Sequence, residues 1–264
     1  MPFTFSHPAI VLPATYLPKK YYSISALIMG SMTPDFEYFI RMKGFSRYSH
    51  TWTGLFWFDL PLSIILLFIF HNLVRNTLIE NLPFSLNVRL SVFENFTWNK
   101  YFQENIVVVF ISLIIGTASH LVWDDFTHTG GYFVKAIPFL NGDVTLFNQD
   151  ISIAAMLQYG CSVVGLLVML LVIFKLPEGK KTKKDNILNF WLFVAVIAIS
   201  VFNLRIIAGR MFNRSIYSED VIVSIISAGL IGITLSCVFL RESKNQKIYR
   251  YLDKIKNRQT GKYQ

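Results

Sequence analysis

Five long apolar runs separated by polar segments dominate the pattern of the sequence. They cover roughly residues 57–75, 105–123, 151–175, 186–204 and 219–240. Each approaches the ~20 residues with which an α-helix crosses the hydrocarbon layer of a bilayer. The pattern therefore predicts an all-α, polytopic membrane protein with about five transmembrane helices.

Two shorter apolar segments precede the first span. They cover about residues 8–18 and 21–34, with Lys19 and Lys20 between them. At a rise of about 1.5 Å per residue, neither segment is long enough to cross a bilayer. We therefore expect an N-terminal helical hairpin and a polar head within residues 1–56. These would belong to a single integral-membrane domain of residues 1–240, followed by a basic tail of residues 241–264.

Composition supports the membrane interpretation. Of the 264 residues, 53% are hydrophobic and only 16% are charged, whereas soluble domains have about 25% charged residues. This excludes a disordered chain, a collagen-like repeat and a small disulfide scaffold. Cys161 and Cys237 both lie inside apolar runs, which indicates helix packing and not redox chemistry.

The net charge of +9 is unevenly distributed and predicts how the spans are oriented. Most basic residues fall in the loop 175–186 and in the tail 241–264, whereas the segment 124–150 carries Lys135 alone. By the positive-inside rule, the basic segments face the cytoplasm. We expect the tail to attract anionic lipids and not nucleic acid, because it lacks interleaved stacking aromatic residues.

Four of the five histidines lie in short polar motifs. His120 and Asp124 are spaced i, i+4, so that on a helix they share one face and can bind one ion together. His128 continues this stripe if the helix runs one turn further. Imidazole nitrogen and carboxylate oxygen are ligands of zinc and of similar divalent ions. The alternative is a hydrogen-bonded His–Asp pair that caps the span.

The predicted topology brings further ligands to the same face. Asp35 closes the second hairpin helix, His50 lies in the head, and the hairpin returns His7 to the side where Asp35 emerges. We therefore expect one or two divalent ions, most suitably zinc, on the face opposite to the basic tail. A purely structural polar network is the alternative.

Four segments resemble an uncharacterised family of bacterial inner-membrane proteins, a domain of unknown function. They are MPFTFSHPAIVLP, ALIMGSMTPDFEYFIR, HTWTGLFWFDLPL and HLVWDDFTHTGG, and the resemblance extends to about residue 175. It implies a multi-pass protein of the bacterial inner membrane with a cytoplasmic C-terminus. The site would then lie on the periplasmic or extracellular face.

The order His…Asp…His…HxxxD…His is more distantly similar to membrane-bound metal-dependent hydrolases. It is also similar to the soluble zinc-dependent phospholipase C and single-strand nuclease superfamily. That resemblance implies that one ion is held by Asp35, His50, His120 and Asp124. A second ion would be held by His7 together with Asp124. His128 would match the histidine that follows HxxxD in the superfamily. The chain has no second HxxxE or HxxxD and no N-terminal Trp ligand, which argues against a trinuclear site.

These features favour a metal-dependent hydrolase that cleaves a phosphoester in a lipid or lipid-linked molecule. Asp125 and Glu37 are candidates to orient the attacking water. Arg41 and Arg47 are candidates to bind phosphate oxygens, although interfacial charges explain both arginines equally well. No Gly-rich phosphate loop, serine elbow or CxxC motif is present, so that no organic cofactor is expected.

The alternative function is a non-enzymatic metal-binding membrane protein, such as a sensor, a transport component or an assembly component. A translocation path needs polar residues through the depth of the membrane. Apart from His71 and Gln158, the spans hold few such residues, which argues against transport but not against a sensor.

The predicted orientation is tested by cysteine labelling in a variant that lacks Cys161 and Cys237. A cysteine introduced at Asn141 should react with a membrane-impermeant maleimide in cells permeabilised only at any outer membrane, whereas one introduced at Thr182 should not. The opposite labelling pattern would place the polar motifs in the cytoplasm.

Overall fold

The computed structural model describes residues 3–146, 148–179, 187–212, 215 and 217–260, with side chains as far as Arg241. Helices make up most of these residues. Five of the described helices are long and apolar enough to cross a membrane. The prediction of an all-α, polytopic membrane protein is therefore confirmed.

The N-terminal region forms a helical pair that differs from the predicted hairpin in its local structure. Its first leg is a 3₁₀ helix, Thr4–Tyr16, which contains Pro8 and Pro13. A single 3₁₀ turn, Lys19–Tyr21, leads to α1, Ile24–Arg41. The prediction that this second helix ends near residue 34 was wrong, because α1 continues through Pro34 for two further turns.

The remaining elements follow in chain order. They are α2 (Trp52–Glu80), α3 (Phe84–Leu90), α4 (Trp98–Glu104), α5 (Ile106–Thr127), α6 (Tyr132–Ala136), the antiparallel strands β1 (Asp143–Leu146) and β2 (Gln149–Ser152), α7 (Ile153–Lys175), α8 (Ile187–Met211) and α9 (Ser218–Thr260). The apolar part of α9 ends at Arg241, and the helix continues into the basic tail. The predicted tail residues 261–264 lie outside the described residues.

The chain forms two compact units. The first comprises the chain up to Ile69 together with Asn95–Pro177, and the second comprises Phe70–Glu94 and the chain from Glu178 onward. The apolar core of the first unit is built by Ala26, Met29, Leu67, Trp98, Val109 and Leu113. In the second unit α8 packs on α9, with Gly232 against the carbonyl oxygen of Val194. All six predicted metal ligands lie in the first unit.

Two glycines bring the backbones of α1 and α5 into direct contact. A Cβ on Gly30 would lie 2.5 Å from the carbonyl oxygen of Leu113, and a Cβ on Gly116 would collide with the carbonyl oxygen of Leu27. Small residues at such a crossing are how membrane helices approach closely. This crossing lies one turn before His120 on α5, and it therefore sets the position of that histidine relative to α1.

The same crossing explains how α1 tolerates Pro34. Proline has no N–H, so that the carbonyl of Gly30 loses its usual donor four residues later. Thr117 on α5 donates its hydroxyl to that carbonyl at 3.3 Å instead. The helix consequently continues towards Asp35 and Glu37.

The tightness of this crossing predicts opposite effects of alanine at two glycines. Gly116→Ala should destabilise the protein by about 1–3 kcal/mol, because the added methyl group overpacks the contact with α1. Gly229→Ala should leave stability unchanged or raise it, since nothing lies within 4 Å of a Cβ at that position. Thermal unfolding in detergent measures both variants, and equal melting temperatures would contradict the close packing.

Candidate metal centre

The end of α5 presents the central pair of the site. His120 and Asp124 lie on one face of this helix, with His120 Nε2 at 3.5 Å from Asp124 Oδ2. His120 is fully buried, and its Nδ1 donates a hydrogen bond to the carbonyl of Ser31 at 2.7 Å. Because Nδ1 carries the donated hydrogen, the lone pair of a neutral ring is on Nε2, which faces the cluster.

Glu37 organises the loop between α1 and α2 that carries His50. Its carboxylate accepts hydrogen bonds at 2.8 Å from the backbone N–H groups of Arg47, Tyr48 and Ser49, and from Arg41 Nη1. Burial alone would raise the pKa of Glu37, but these donors outweigh it and lower the pKa to about 2. The ionised carboxylate therefore fixes the loop directly before His50.

His50 is held in an unusual backbone conformation with its Nε2 inside the cluster. Its φ of 56° lies in the left-handed region, which is uncommon for residues other than glycine and is often found at functional sites. Ser49 Oγ forms a hydrogen bond with His50 Nδ1 at 2.9 Å. This contact orients the ring, as outer-shell partners do for metal-binding histidines.

Four ligand atoms from three segments come together at these distances. His50 Nε2 lies 3.3 Å from His120 Nε2, 3.5 Å from Asp35 Oδ1 and 3.5 Å from Asp124 Oδ2. His120 Nε2 lies 3.8 Å from Asp35 Oδ1. A tetrahedron with zinc–ligand bonds of about 2.0–2.1 Å has edges of roughly 3.3–3.4 Å. The distances among His50 Nε2, His120 Nε2 and Asp124 Oδ2 therefore fit three corners of one tetrahedral divalent ion, and Asp35 Oδ1 lies next to both histidine nitrogens.

Asp124 directs its second oxygen to a different pair of histidines. Asp124 Oδ1 lies 3.8 Å from His7 Nε2 and 3.7 Å from His128 Nδ1. The His7 ring stacks on His120, with ring centroids 3.9 Å apart. One carboxylate thus has Oδ2 near His50 and His120 and Oδ1 near His7, which is the arrangement that a carboxylate bridging two ions would have.

Several of these buried polar atoms have no hydrogen-bond partner among the described residues. They are both carboxylate oxygens of Asp35, both ring nitrogens of His7, and Asp124 Oδ1. Asp35 is 0% exposed, and a buried carboxylate without a partner is costly. A bound cation would satisfy these atoms, so that the side chains present fit a metal ion.

The electrostatics of the site also favour a positive charge. Burial would lower the pKa of His50, but the carboxylates of Asp124 and Asp35 outweigh burial and raise it to about 9. Burial, reinforced by neighbouring His120, lowers the pKa of His7 to about 4, which keeps that ring neutral as metal ligation requires. A proton on His50 or a metal ion can supply the charge that the aspartates favour.

Of the other predicted residues, Asp125 lines a cleft of about 350 Å³, and neither Arg41 nor Arg47 is among its described lining residues. Its walls are formed by Tyr38, His50, Trp52, Leu121, Asp124, Asp125, His128, Gly130 and Gly131. Asp125 Oδ1 accepts a hydrogen bond from the backbone N–H of Tyr132 at 3.2 Å. Arg41 is engaged by Glu37 and lies over the Phe45 ring at 4.6 Å, whereas Arg47 is exposed beside Tyr48.

His128 reaches the cluster, but not as the helical stripe predicts. Helix α5 ends at Thr127, and His128 is extended, with φ −108° and ψ 136°. Its Nδ1 donates to the carbonyl of Asp124 at 3.1 Å, and its Nε2 lies 3.4 Å from Gln158 Nε2 on α7. A turn beyond the helix, and not a further helical turn, therefore places this ring.

Sequence reasoning missed Asp59, which lies in a π-helical turn of α2, Leu55–Asp59. Its carboxylate is fully buried and has no hydrogen-bond partner among the described residues. It interacts electrostatically with His50 and His120. An acidic residue inside an apolar span was the available signal, since such residues are expensive to bury and are usually functional.

These features define a polytopic helical membrane protein with a buried His/Asp cluster at one end of its spans. Over residues 1–238 the sequence matches the family described as Domain of unknown function (DUF4184). The chain therefore belongs to that family, and the predicted membership in an uncharacterised family is confirmed. No curated protein and no solved structure shows significant similarity to the chain, so that the resemblance to hydrolases stays a prediction.

The geometry predicts that metal binding depends on the pair on α5. His120→Ala and Asp124→Asn should each weaken zinc binding by more than the 10–100-fold that loss of an outer-shell partner costs. His71→Ala is the control, because His71 lies in the second unit with its Nδ1 3.0 Å from Arg75 Nη1. Metal content is measured after purification in non-chelating detergent, and equal content in all three variants would refute the assignment.

Proposed function

We propose that this protein is a metal-dependent phosphoester hydrolase that acts on a lipid or lipid-linked substrate. The observation that supports it most is the placement of Asp124, whose Oδ2 faces His50 and His120 while its Oδ1 faces His7 and His128. A carboxylate in this position can bridge two ions. Paired ions that stabilise both the attacking and the leaving oxygen are a common solution for phosphoester hydrolysis.

The ligands divide into two sets that share Asp124. The first ion would be held by Asp35, His50, His120 and Asp124, which are all buried or nearly buried. The second would be held by His7 and Asp124. His128 would join this set only after its Nδ1 releases the hydrogen bond to the carbonyl of Asp124. The mixture of nitrogen and oxygen ligands favours zinc.

A divalent ion at this position would polarise a phosphoryl oxygen and acidify water. The protein's own side chains would orient the reactants around it. Asp125 in the cleft wall is our candidate to accept a proton from the attacking water. Arg47 is exposed and our candidate for the substrate phosphate, because the guanidinium of Arg41 is already engaged by Glu37.

We assign Glu37 a positioning role instead of the water-orienting role that its sequence position suggests. Both of its oxygens accept hydrogen bonds from the loop that carries His50. A carboxylate occupied in this way has little capacity left for a water molecule. Its contribution to activity would therefore act through the placement of His50.

We place the site on the outer face of the bacterial inner membrane, on the basis of charge. The segments rich in Lys and Arg, including the tail from Arg241 onward, would face the cytoplasm. That tail would attract anionic lipid headgroups. A substrate confined to the bilayer would then present its phosphate at the depth at which the spans end.

One observation favours a second candidate, a non-enzymatic metal-binding membrane protein such as a sensor or an assembly component. The first ligand set offers as many as four protein atoms to one ion. Structural zinc sites are closed by four protein ligands, whereas catalytic sites keep an open position. If all four atoms bind the first ion, the hydrolase proposal requires the second ion.

Activity of the reconstituted, zinc-loaded protein tests the proposal. Phospholipids and isoprenoid phosphates are screened for release of phosphate or of a phosphorylated headgroup. Asp35→Asn, His50→Ala and His120→Ala should each lower the rate by a similarly large factor, on the order of 10²–10⁴, and a double variant should be little worse, because the groups act as one unit.

The control for this experiment is His71→Ala, which should retain the rate of the unmodified protein. Fully metallated protein that cleaves none of these lipids would contradict the hydrolase and favour the sensor.

A further inference from the structure

An apolar groove of about 640 Å³ lies beside the metal centre in the first unit. Its walls are the 3₁₀ helix at Ala9 and Ile10, α5 at Trp123, and α7 from Met156 to Val168. The lining is almost entirely apolar, and the volume falls within the range of about 300–1,000 Å³ typical of small-molecule sites. A polar ligand would gain nothing from such a surface.

Two wall elements of the groove also carry residues of the metal centre, and a third contacts one of these residues. Trp123 on α5 directly precedes Asp124, and the 3₁₀ helix places His7 two residues before Ala9. On α7, Leu157 lines the groove while the next residue, Gln158, contacts His128. Residues of the groove walls are therefore close neighbours in sequence of residues of the cluster or of their contacts.

Two glycines of α7 that line the groove have different surroundings. Gly165 packs against Ser6, so that a Cβ there would lie 2.8 Å from the Ser6 carbonyl. A Cβ on Gly160, by contrast, would meet nothing within 4 Å. Two of the walls, α5 and α7, are apolar helices long enough to span the membrane, so that hydrocarbon surrounds the groove.

We propose that this groove binds one hydrocarbon chain, acyl or isoprenoid, of a phosphate-bearing lipid whose headgroup lies at the metal centre. The proposal rests on the proposed function for the headgroup. The tail contributes through burial of apolar area against the groove walls. It defines the substrate class as a membrane lipid with a long chain and not a water-soluble phosphoester.

Photocrosslinking tests tail binding independently of catalysis. The probe is phosphatidic acid with a diazirine at mid-chain, incorporated into phosphatidylcholine vesicles with the zinc-loaded protein. Crosslinks should concentrate on residues 156–168 in the unmodified protein. Gly160→Leu, which puts a large side chain into the open space at this position of the groove, should reduce the yield of these crosslinks about tenfold. One or two methylene groups in a hydrophobic pocket have an effect of this size.

Gly229→Leu is the matched control, because Gly229 also lies on a span with nothing within 4 Å of its Cβ, and it should leave the crosslinks unchanged. Crosslinks spread evenly over the exposed faces of α7, α8 and α9, and insensitive to Gly160→Leu, would overturn the proposal. A change from dimer to monomer in Gly160→Leu would overturn it too, since the groove would then hold a second copy of the chain.

Chain-length dependence separates failure of this inference from failure of the proposed function. With phosphatidic acid that carries hexadecanoyl chains, Gly160→Leu should lower the rate of phosphate release about tenfold. With phosphatidic acid that carries hexanoyl chains, Gly160→Leu and the unmodified protein should release phosphate at the same rate. Equal cleavage of both lipids in both proteins would overturn the groove and leave the hydrolase standing. Specific crosslinks without cleavage of any lipid would support the groove and contradict the hydrolase.

Discussion

The direct contact between the backbones of α1 and α5 at Gly30 and Gly116 is the constraint on which the site depends. It allows Thr117 to replace the hydrogen bond that Pro34 removes, and it allows His120 to donate to the carbonyl of Ser31. Because α1 then continues past Pro34, Asp35 reaches the face of α5 that carries His120. The two helices therefore form one rigid support for ligands that are far apart in sequence.

A charge requirement follows from this geometry. The crossing buries Asp35 completely, and it leaves Asp35, Asp59 and one oxygen of Asp124 without hydrogen-bond donors among the described residues. Such carboxylates are tolerated in an apolar interior only next to positive charge. Without a cation next to these carboxylates, the folded protein would be less stable than with one. This difference in stability is the physical basis for proposing a metal centre.

Patterns local in sequence were predictable, and contacts between distant segments were not. The apolar runs predicted the five spans, and the i, i+4 spacing predicted that His120 and Asp124 share a face. The continuation of α1 through Pro34 depends on a hydroxyl from another helix, and the role of Glu37 depends on a loop 10 to 12 residues further along the chain. Asp59 was missed because the span around it was interpreted only for its length and hydrophobicity.

X-ray absorption at the zinc edge tests the central claim, a metal centre of nitrogen and oxygen ligands, most directly. The protein loaded with two equivalents of zinc should show nitrogen and oxygen neighbours at about 2.0–2.1 Å, no sulfur neighbours at about 2.3 Å, and a second zinc at about 3.5–4 Å. The Asp124→Asn variant should lose the zinc–zinc signal, because the bridging carboxylate is gone. Sulfur ligation, or a spectrum of hydrated zinc that is identical in both proteins, would contradict the account.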